Sequence, residues 1–291
     1  MVSQLPRAPF DCVLVGAGRV GTAVALLLQS KGHNVVAVSS RSRDSAAAAA
    51  ERLGAPVTSP DDLPAADLYL IGTPAASLPE IGRSLVATNR VSGSVLVHFA
   101  GAVGIEPLRE CSDRGAFVGA LHPVQACPDV DSARRNLPHS AWGITCTDGL
   151  DVWAKRLVEE DLEGRAVAVA EKDRPLWHAG AVITSNGIAA LLAAGEALLG
   201  DLGVEAPEAV LGPLAAGTIA NARSGGGGAA TLTGPLVRGE VDTIADHLGQ
   251  LEALDPNHSR NYRLASQLIL SAIRARGGGA TGAAIEALVQ P

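Results

Sequence analysis

The stretch "CVLVGAGRVGTAVALLLQSKGHNVVAVSSRS", residues 12–42, limits the fold more than any other segment. A short apolar run ends in Gly16, a small-residue segment with helical spacing follows, and a second apolar run begins near Asn34. That order is strand, tight turn, helix, strand. Two strands joined through a helix pair in parallel, and a parallel sheet must be covered on both faces.

Further along, strand-like runs recur as "LYLIGT" (68–73), "SVLVHFAG" (94–101), "FVGALHP" (117–123), "WGITC" (142–146) and "RAVAVA" (165–170), with helical segments between them. Runs that are apolar throughout fit strands buried on both sides, so the first part of the chain is read as a doubly wound, mostly parallel α/β sheet. Beyond residue 172 the β-branched runs give way to Ala-, Leu- and Gly-rich segments with helical spacing. The expected organisation is an α/β domain over 1–172 and an all-α domain over 173–291. Asp173 and Pro175 suit a helix start, the "LLGDLG" glycines suit its end, and further helices are expected over 207–222, 235–251 and 257–275. "RSGGGGAATLTGP" (223–235) reads as a loop, and "RARGGGATGAA" as a mobile tail before a last short helix.

Composition excludes several classes. The 23 Lys and Arg residues are scattered against 30 Asp and Glu, a formal charge of −7, and aromatics are 3%. Neither a nucleic-acid surface nor a base-stacking platform is expected. Apolar runs are read as broken by Gly, Pro and charges before membrane-spanning length, and the start carries no apolar core of a secretion signal. No membrane partner and a cytoplasmic location are expected. Cys12, Cys111, Cys127 and Cys146 are far apart, so no metal site is expected.

Gly16, Gly18 and Gly21 form G-x-G-x-x-G, with Ala17, Arg19 and Val20 completing the turn. The first glycine permits the turn, the second lets the backbone approach a pyrophosphate, and the third lets helix and strand pack. An acid at the end of the second strand would hydrogen-bond ribose hydroxyls and repel a phosphate. Ser40, Arg41, Ser42 and Arg43 stand there instead, offering donors and positive charge to a 2′-phosphate, unless they are a solvated loop. NADP(H) is therefore favoured over NAD(H). Thr73 and Pro74 end the third strand, where the cofactor continues, although Thr73 equally suits a helix cap. Ala100 and Gly101 end the fourth strand and leave room for a nicotinamide, with His98 just before them; His122 ends the fifth and is a candidate substrate contact.

In the helical part, His178, Val182, Ser185 and Asn186 fall at i, i+4, i+7 and i+8, one face of a helix. A carbonyl reduced to an alkoxide needs a proton donor, which His178 can be, with Ser185 and Asn186 orienting the oxygen. The same stripe also suits helix–helix hydrogen bonds in a dimer core. Thr233 can cap the helix that follows it, and Arg238 can pair with a substrate carboxylate or with Glu240 or Asp242.

On "VGAGRVG", "LHPVQACPD" (121–129), "LWHAGAVITSNGIAALL" (176–192) and "LTGPLVRGE" (232–240), the chain resembles the 6-phosphogluconate dehydrogenase-like superfamily. Within it, the chain is similar to a family of oxidoreductases with a Rossmann-like domain and a C-terminal helical domain of unknown function. That family includes proteins resembling alternative ketopantoate reductases. The resemblance implies an NADPH-dependent reduction of a small 2-oxo acid, 2-dehydropantoate to pantoate in pantothenate biosynthesis, by a homodimer joined through the helical domain. Standard ketopantoate reductases and hydroxyisobutyrate dehydrogenases carry a catalytic lysine on the long helix. This helix has none, so His178 or a bound water takes that role. Imine reduction of the pyrroline-5-carboxylate type, a deazaflavin-linked NADP oxidoreductase and a non-catalytic NADP(H)-binding sensor or scaffold are the alternatives.

Overall fold

Each apolar run forms a strand. A computed structural model describes residues 5–277 and 283–290. In chain order it contains β1 (Asp11–Val15), α1 (Arg19–Ser30), β2 (Asn34–Ser39), α2 (Arg43–Leu53), β3 (Leu68–Ile71), α3 (Leu78–Ala87) and β4 (Val95–His98). Then follow α4 (Arg109–Asp113), β5 (Phe117–Pro123), α5 (Val130–Asn136), β6 (Ala141–Cys146), α6 (Asp151–Arg156) and β7 (Arg165–Ala168). The strands form one sheet in the order β2-β1-β3-β4-β5-β6-β7. All neighbours are parallel except β5 and β6.

The period of two along each strand explains why the runs are apolar throughout. Cys12 and Leu14 of β1, Leu68 and Leu70 of β3, and Val95 and Val97 of β4 face one core. Val13, Val15, Tyr69, Ile71 and Leu96 face a second core on the other side. Both layers are buried, so apolar side chains dominate at both alternate positions, with polar ones such as Ser39 and His98 confined to the strand ends.

Chain order reverses about β1, with β2 on one side and β3 on the other. Such a switch point opens a crevice at the carboxyl ends of the strands. Register aligns those ends: Val15 pairs with Ser39 and with Ile71, Ile71 with His98, and His98 with Ala120. The segments after β1, β2, β3 and β4 therefore leave the sheet along one edge.

The chain divides into two compact units, Met1–Ser185 and Asn186–Pro291. Helix α7 (Arg174–Asp201) begins in the first and runs into the second. The second unit continues with α8 (Pro207–Ser224), α9 (Pro235–Arg238), α10 (Val241–Leu254), α11 (Pro256–Ala275) and α12 (Ala283–Leu288). Its core gathers Leu236, Ile244, Leu248, Leu270, Ile273, Ile285 and Val289. The single helix expected over 235–251 is two, because Gly239 takes a left-handed conformation (φ +75°) that ends α9. Residues 278–282, part of the expected mobile tail, lie outside the described residues.

The expectation that no apolar run reaches membrane-spanning length is corrected by α7. The helical stretch Glu171–Asp201 is long and apolar enough to cross a membrane, with a mean hydropathy of 1.6 over its most apolar window. Glycines and single polar residues do not interrupt hydropathy within a helix. Its Leu176 and Ile183 are 74% and 69% exposed.

The turn after β1 depends on β3. A Cβ on Gly72 would stand 2.4 Å from the Gly16 carbonyl oxygen and 3.1 Å from Gly21 Cα. Both are backbone atoms, which cannot swing aside. Gly72→Ala is expected to lower unfolding stability by roughly 2–3 kcal/mol in a urea titration. Gly180→Ala, in α7 with nothing within 4 Å of its new Cβ, should leave stability equal or higher. Equal midpoints for Gly72→Ala and the parent would contradict this packing account.

Candidate active site

The first element of the site is a cleft of about 590 Å³ at the switch point. Its floor is the turn Gly16–Ala17–Gly18, where Gly16 (φ +83°) has a conformation that side chains disfavour. Gly16 N–H donates to the Ser39 carbonyl at 2.6 Å, joining the turn to the end of β2. Gly18 stands at the N-cap of α1, so the unpaired N–H groups of the first helical turn point toward the cleft.

The glycine at 18 is required for a reason beyond cofactor approach. A Cβ there would meet the Gly72 carbonyl oxygen at 2.2 Å, and one on Gly21 would meet Gly72 Cα at 2.8 Å. The motif is as much a seat for β3 as a cradle for phosphate.

Ser40, Arg41 and Ser42 line the same cleft. Ser42 also caps α2, its Oγ accepting from Ser45 N–H at 3.2 Å, which leaves its own hydrogen to donate. Thr73 and Pro74 form the β3 side. Thr73 caps no helix; its Oγ1, like that of Ser39, is buried without a hydrogen-bond partner. Two orphaned hydroxyls in a cleft built of glycines fit a polar ligand.

Arg19 and Val20 differ from expectation. The Arg19 guanidinium donates to the Pro128 carbonyl at 3.0 Å, and Val20 packs on the first core, so their side chains turn from the cleft. The opposite wall, with Pro60, Leu63, Ile81 and Leu85, was not singled out from sequence. Its signal was the i, i+4 pair Ile81 and Leu85 on the helix after β3, ahead of which stands the Thr-Pro turn.

The second element is a histidine cluster at the ends of β4 and β5. His122 and His178 rings meet edge to face, centroids 5.2 Å apart. Both converge on Gly101: a Cβ there would lie 2.3 Å from His178 Nδ1 and 2.8 Å from His122 Nε2. Trp177 Nε1–H donates to His122 Nδ1 at 3.2 Å, which places the His122 hydrogen on Nε2. His178 Nδ1 is buried with no partner. Burial, then the neighbouring His178 and Arg174, push the His122 imidazole down to about 4. At neutral pH His122 is thus an uncharged donor.

His98 is structural. Its Nε2–H donates to the Gly104 carbonyl at 2.7 Å and its Nδ1 accepts from Ala100 N–H at 3.2 Å. Burial holds it down at about 4. Arg174, in the first turn of α7, is fully buried and donates to the carbonyls of Ala100, Val103, Ala120 and Gly143.

The cysteines take no part as nucleophiles. Burial pushes the Cys12 and Cys146 thiols up to about 12 and Cys111 up to about 11. Ser185 is exposed on α7 two turns beyond His178. Asn186, Thr233 and Arg238 belong to the second unit and are likewise exposed. Thr233 does not cap α9, whose N-cap is Gly234 without a side-chain bond. Arg238 makes a two-armed ion pair with Glu240, at 2.5 and 3.3 Å, because the left-handed Gly239 folds the chain back between them. In the same unit, Asp201, Asp255 and His258 bring ligand-type atoms within 4.8 Å of one another. His258 Nε2 lies 2.7 Å from Asp201, and Asp255 caps α11, so each group has an internal partner.

A glycine turn at a switch point, a basic and hydroxylated β2 end, and polar groups at neighbouring strand ends define an α/β protein that binds a dinucleotide. Residues 2–123 match the Rossmann-like domain and residues 140–269 the domain of unknown function (DUF2520). The chain thus carries a match to a Rossmann-like domain followed by a match to this second domain. Among solved structures it is similar to BF3122 of Bacteroides fragilis, a protein assigned as an NADP oxidoreductase. The two are 25% identical over 89% of this chain and 97% of that one, with a TM-score of 0.74. A pyrroline-5-carboxylate reductase from Coxiella burnetii is similar at 15% identity over 91% and 98%, TM-score 0.59. A reductive aminase from Aspergillus terreus, solved with NADPH and ethyl-5-oxohexanoate, is similar at 17% identity over 96% and 99%, TM-score 0.63. The last two likenesses are of fold.

The neutral His98 has a consequence for stability. Unfolded, it takes up a proton as pH falls below about 6.5; folded, it resists until about 4. Its contribution is therefore complete above 6.5 and is lost as pH drops toward 4, a change of roughly 3 kcal/mol. Denaturant midpoints measured from pH 7 to 4.5 should fall, and His98→Asn should flatten that slope. An unchanged slope in a folded His98→Asn variant would remove His98 from the account.

Proposed function

We propose that this protein is an NADPH-dependent reductase of a small carbonyl compound of the 2-oxo acid class, with 2-dehydropantoate the first candidate. The carrying observation is the His122–His178 pair converging on Gly101, one strand along the sheet edge from the dinucleotide cleft. NADPH, when bound, supplies a hydride to the carbonyl carbon.

The chain's own residues do the rest. The turn from Gly16 to Gly21 and the start of α1 face the pyrophosphate, and Ser40, Arg41 and Ser42 hold the 2′-phosphate. Ala100 keeps the end of β4 small beside the nicotinamide, while the open side of Gly101 is taken by the two imidazoles. His122 donates its Nε2 hydrogen to the carbonyl oxygen, a role suited to a neutral imidazole. His178 gives the proton that the oxygen takes up and is reprotonated from solvent along the half-exposed start of α7. Ser185, two turns beyond His178 on the same helix, orients the substrate.

The finer choice of 2-dehydropantoate rests on the family resemblance. An imine substrate is the second reading, favoured by the names of the Coxiella and Aspergillus fold neighbours. The helical part is proposed as the substrate and dimerisation domain. Leu176, Ile183 and Leu191 of α7 and Val210 and Leu214 of α8 are each at least half exposed, and a second copy of the chain would cover them. Light scattering on the purified protein should give twice the chain mass, and a monomer at micromolar concentration would contradict the dimer.

The test of activity is NADPH oxidation with 2-dehydropantoate, with pyrroline-5-carboxylate and NADH in parallel. Turnover confined to NADPH and the oxo acid is expected. Turnover with the imine alone moves the protein to the second reading, and tight NADPH binding without any turnover makes it a sensor or scaffold. His178→Ala should lower kcat by about 10²- to 10⁴-fold with NADPH affinity unchanged.

A further inference from the structure

Arg174 stands between Asp173 and Pro175 at the helix start and carries no signal in the sequence, yet it is among the largest fully buried side chains of the protein. Its Nε donates to Val103 O at 3.2 Å, Nη1 to Ala120 O at 3.3 Å and Gly143 O at 3.0 Å, and Nη2 to Ala100 O at 2.6 Å. All four acceptors are backbone carbonyls. A guanidinium buried without a directly bonded carboxylate is costly to keep, and burial weakens its hold on its proton. A fan of this shape uses the rigid fork that distinguishes Arg from Lys.

The acceptors identify what the fan holds. Ala100 and Val103 bracket Gly101 in the segment after β4; Ala120 is two residues before His122 on β5; Gly143 is His122's own register partner on β6. Three chain segments that carry or flank the histidine cluster are therefore tied to one side chain. One turn along the same helix, Trp177 fixes the His122 tautomer and His178 supplies the second ring.

We infer that Arg174 is a positioning residue for the proposed reduction: its carbonyl fan holds the segment around Gly101 and the strand that carries His122 in the geometry at which Trp177 and His178 meet the His122 ring. The inference rests on the reductase reading for its purpose, though its central statement concerns the free protein. The groups around His122 are few. From α7 it is faced by His178 and Arg174, both of which disfavour a second proton. From β4, His98 is engaged with Gly104, and from β6, Cys146 lies near Arg174 with its thiol neutral. Glu171 ahead of α7 partly offsets Arg174 and accepts from Ile105 N–H and Glu106 N–H. No carboxylate acts on His122 itself among the described groups.

The experiment is an NMR titration of ¹⁵N-histidine-labelled full-length protein, with His122→Gln used to assign the signal. In the parent, His122 should show the Nε2–H tautomer and stay uncharged down to about pH 4. Arg174→Gln, which loses most of the fan, should turn the single Nε2–H tautomer into a mixture and raise the His122 titration only in part, because burial, its largest cause, remains. Arg174→Lys, which keeps the charge and loses the fan, should leave His122 uncharged while lowering kcat by about 10- to 100-fold at unchanged NADPH affinity. A parent His122 that titrates near its ordinary value, or the Nδ1–H tautomer, would overturn the inference. So would an unchanged His122 tautomer and ring spectrum in folded Arg174→Gln; if that variant does not fold, the parent spectrum and the Lys variant decide. The NMR result is independent of turnover, so a correct titration with no active substrate would count against the reductase reading alone.

Discussion

The close approach of Gly72 to the turn from Gly16 to Gly21 fixes the rest of the sheet edge. Gly72 follows β3, the turn follows β1, and their backbones meet at distances no Cβ allows. That contact closes the switch point at its base, so that the cleft opens outward between the end of β2 and the Thr73–Pro74 segment. It also sets the height at which β4 and β5 end, through the register Ile71–His98–Ala120. The histidine cluster thus inherits its position from a packing constraint two strands away.

A second constraint works at right angles to the first. Arg174 spends its buried donors on carbonyls from the segment after β4 and from β5 and β6, which binds the start of α7 to the sheet. Such a cation cannot be left unpaired in a dry interior, and four oriented carbonyl dipoles are what make it tolerable. The same charge adds, after burial and His178, to what keeps His122 neutral.

Much of this was legible in the sequence, and the physical reasons are local. Strands buried on both faces need apolar residues along their length, and β1, β3 and β4 were visible as such; β7 was read from the same signal although it is half-exposed at the edge of the sheet. The turn at Gly16, the Ser-Arg-Ser end of β2 and Thr73–Pro74 are contiguous motifs, and the cleft gathers them. What depends on distant packing was not legible. His122 and His178 were each found, but 56 residues apart nothing in their spacing says that they meet over Gly101. Arg174 reads like any charged residue at a helix start, since burial of an Arg by carbonyls leaves no pattern. Arg238 was held open between a substrate and Glu240, and the left-handed Gly239 brings the latter into contact. The apolar runs of the chain were read as broken by Gly, Pro and charges short of membrane-spanning length, whereas α7 carries its glycines without losing its mean hydropathy.

The measurement that bears most directly on the account is a calorimetric titration of the purified protein with NADPH and with NADH, repeated for Arg41→Ala. If Ser40, Arg41 and Ser42 hold a 2′-phosphate, NADPH binds the parent at least about tenfold more tightly than NADH, a difference near 1.4 kcal/mol. The variant then loses most of that preference while its NADH affinity changes little. Equal affinities for the two dinucleotides in the parent, or an equal loss of both in Arg41→Ala, would contradict it.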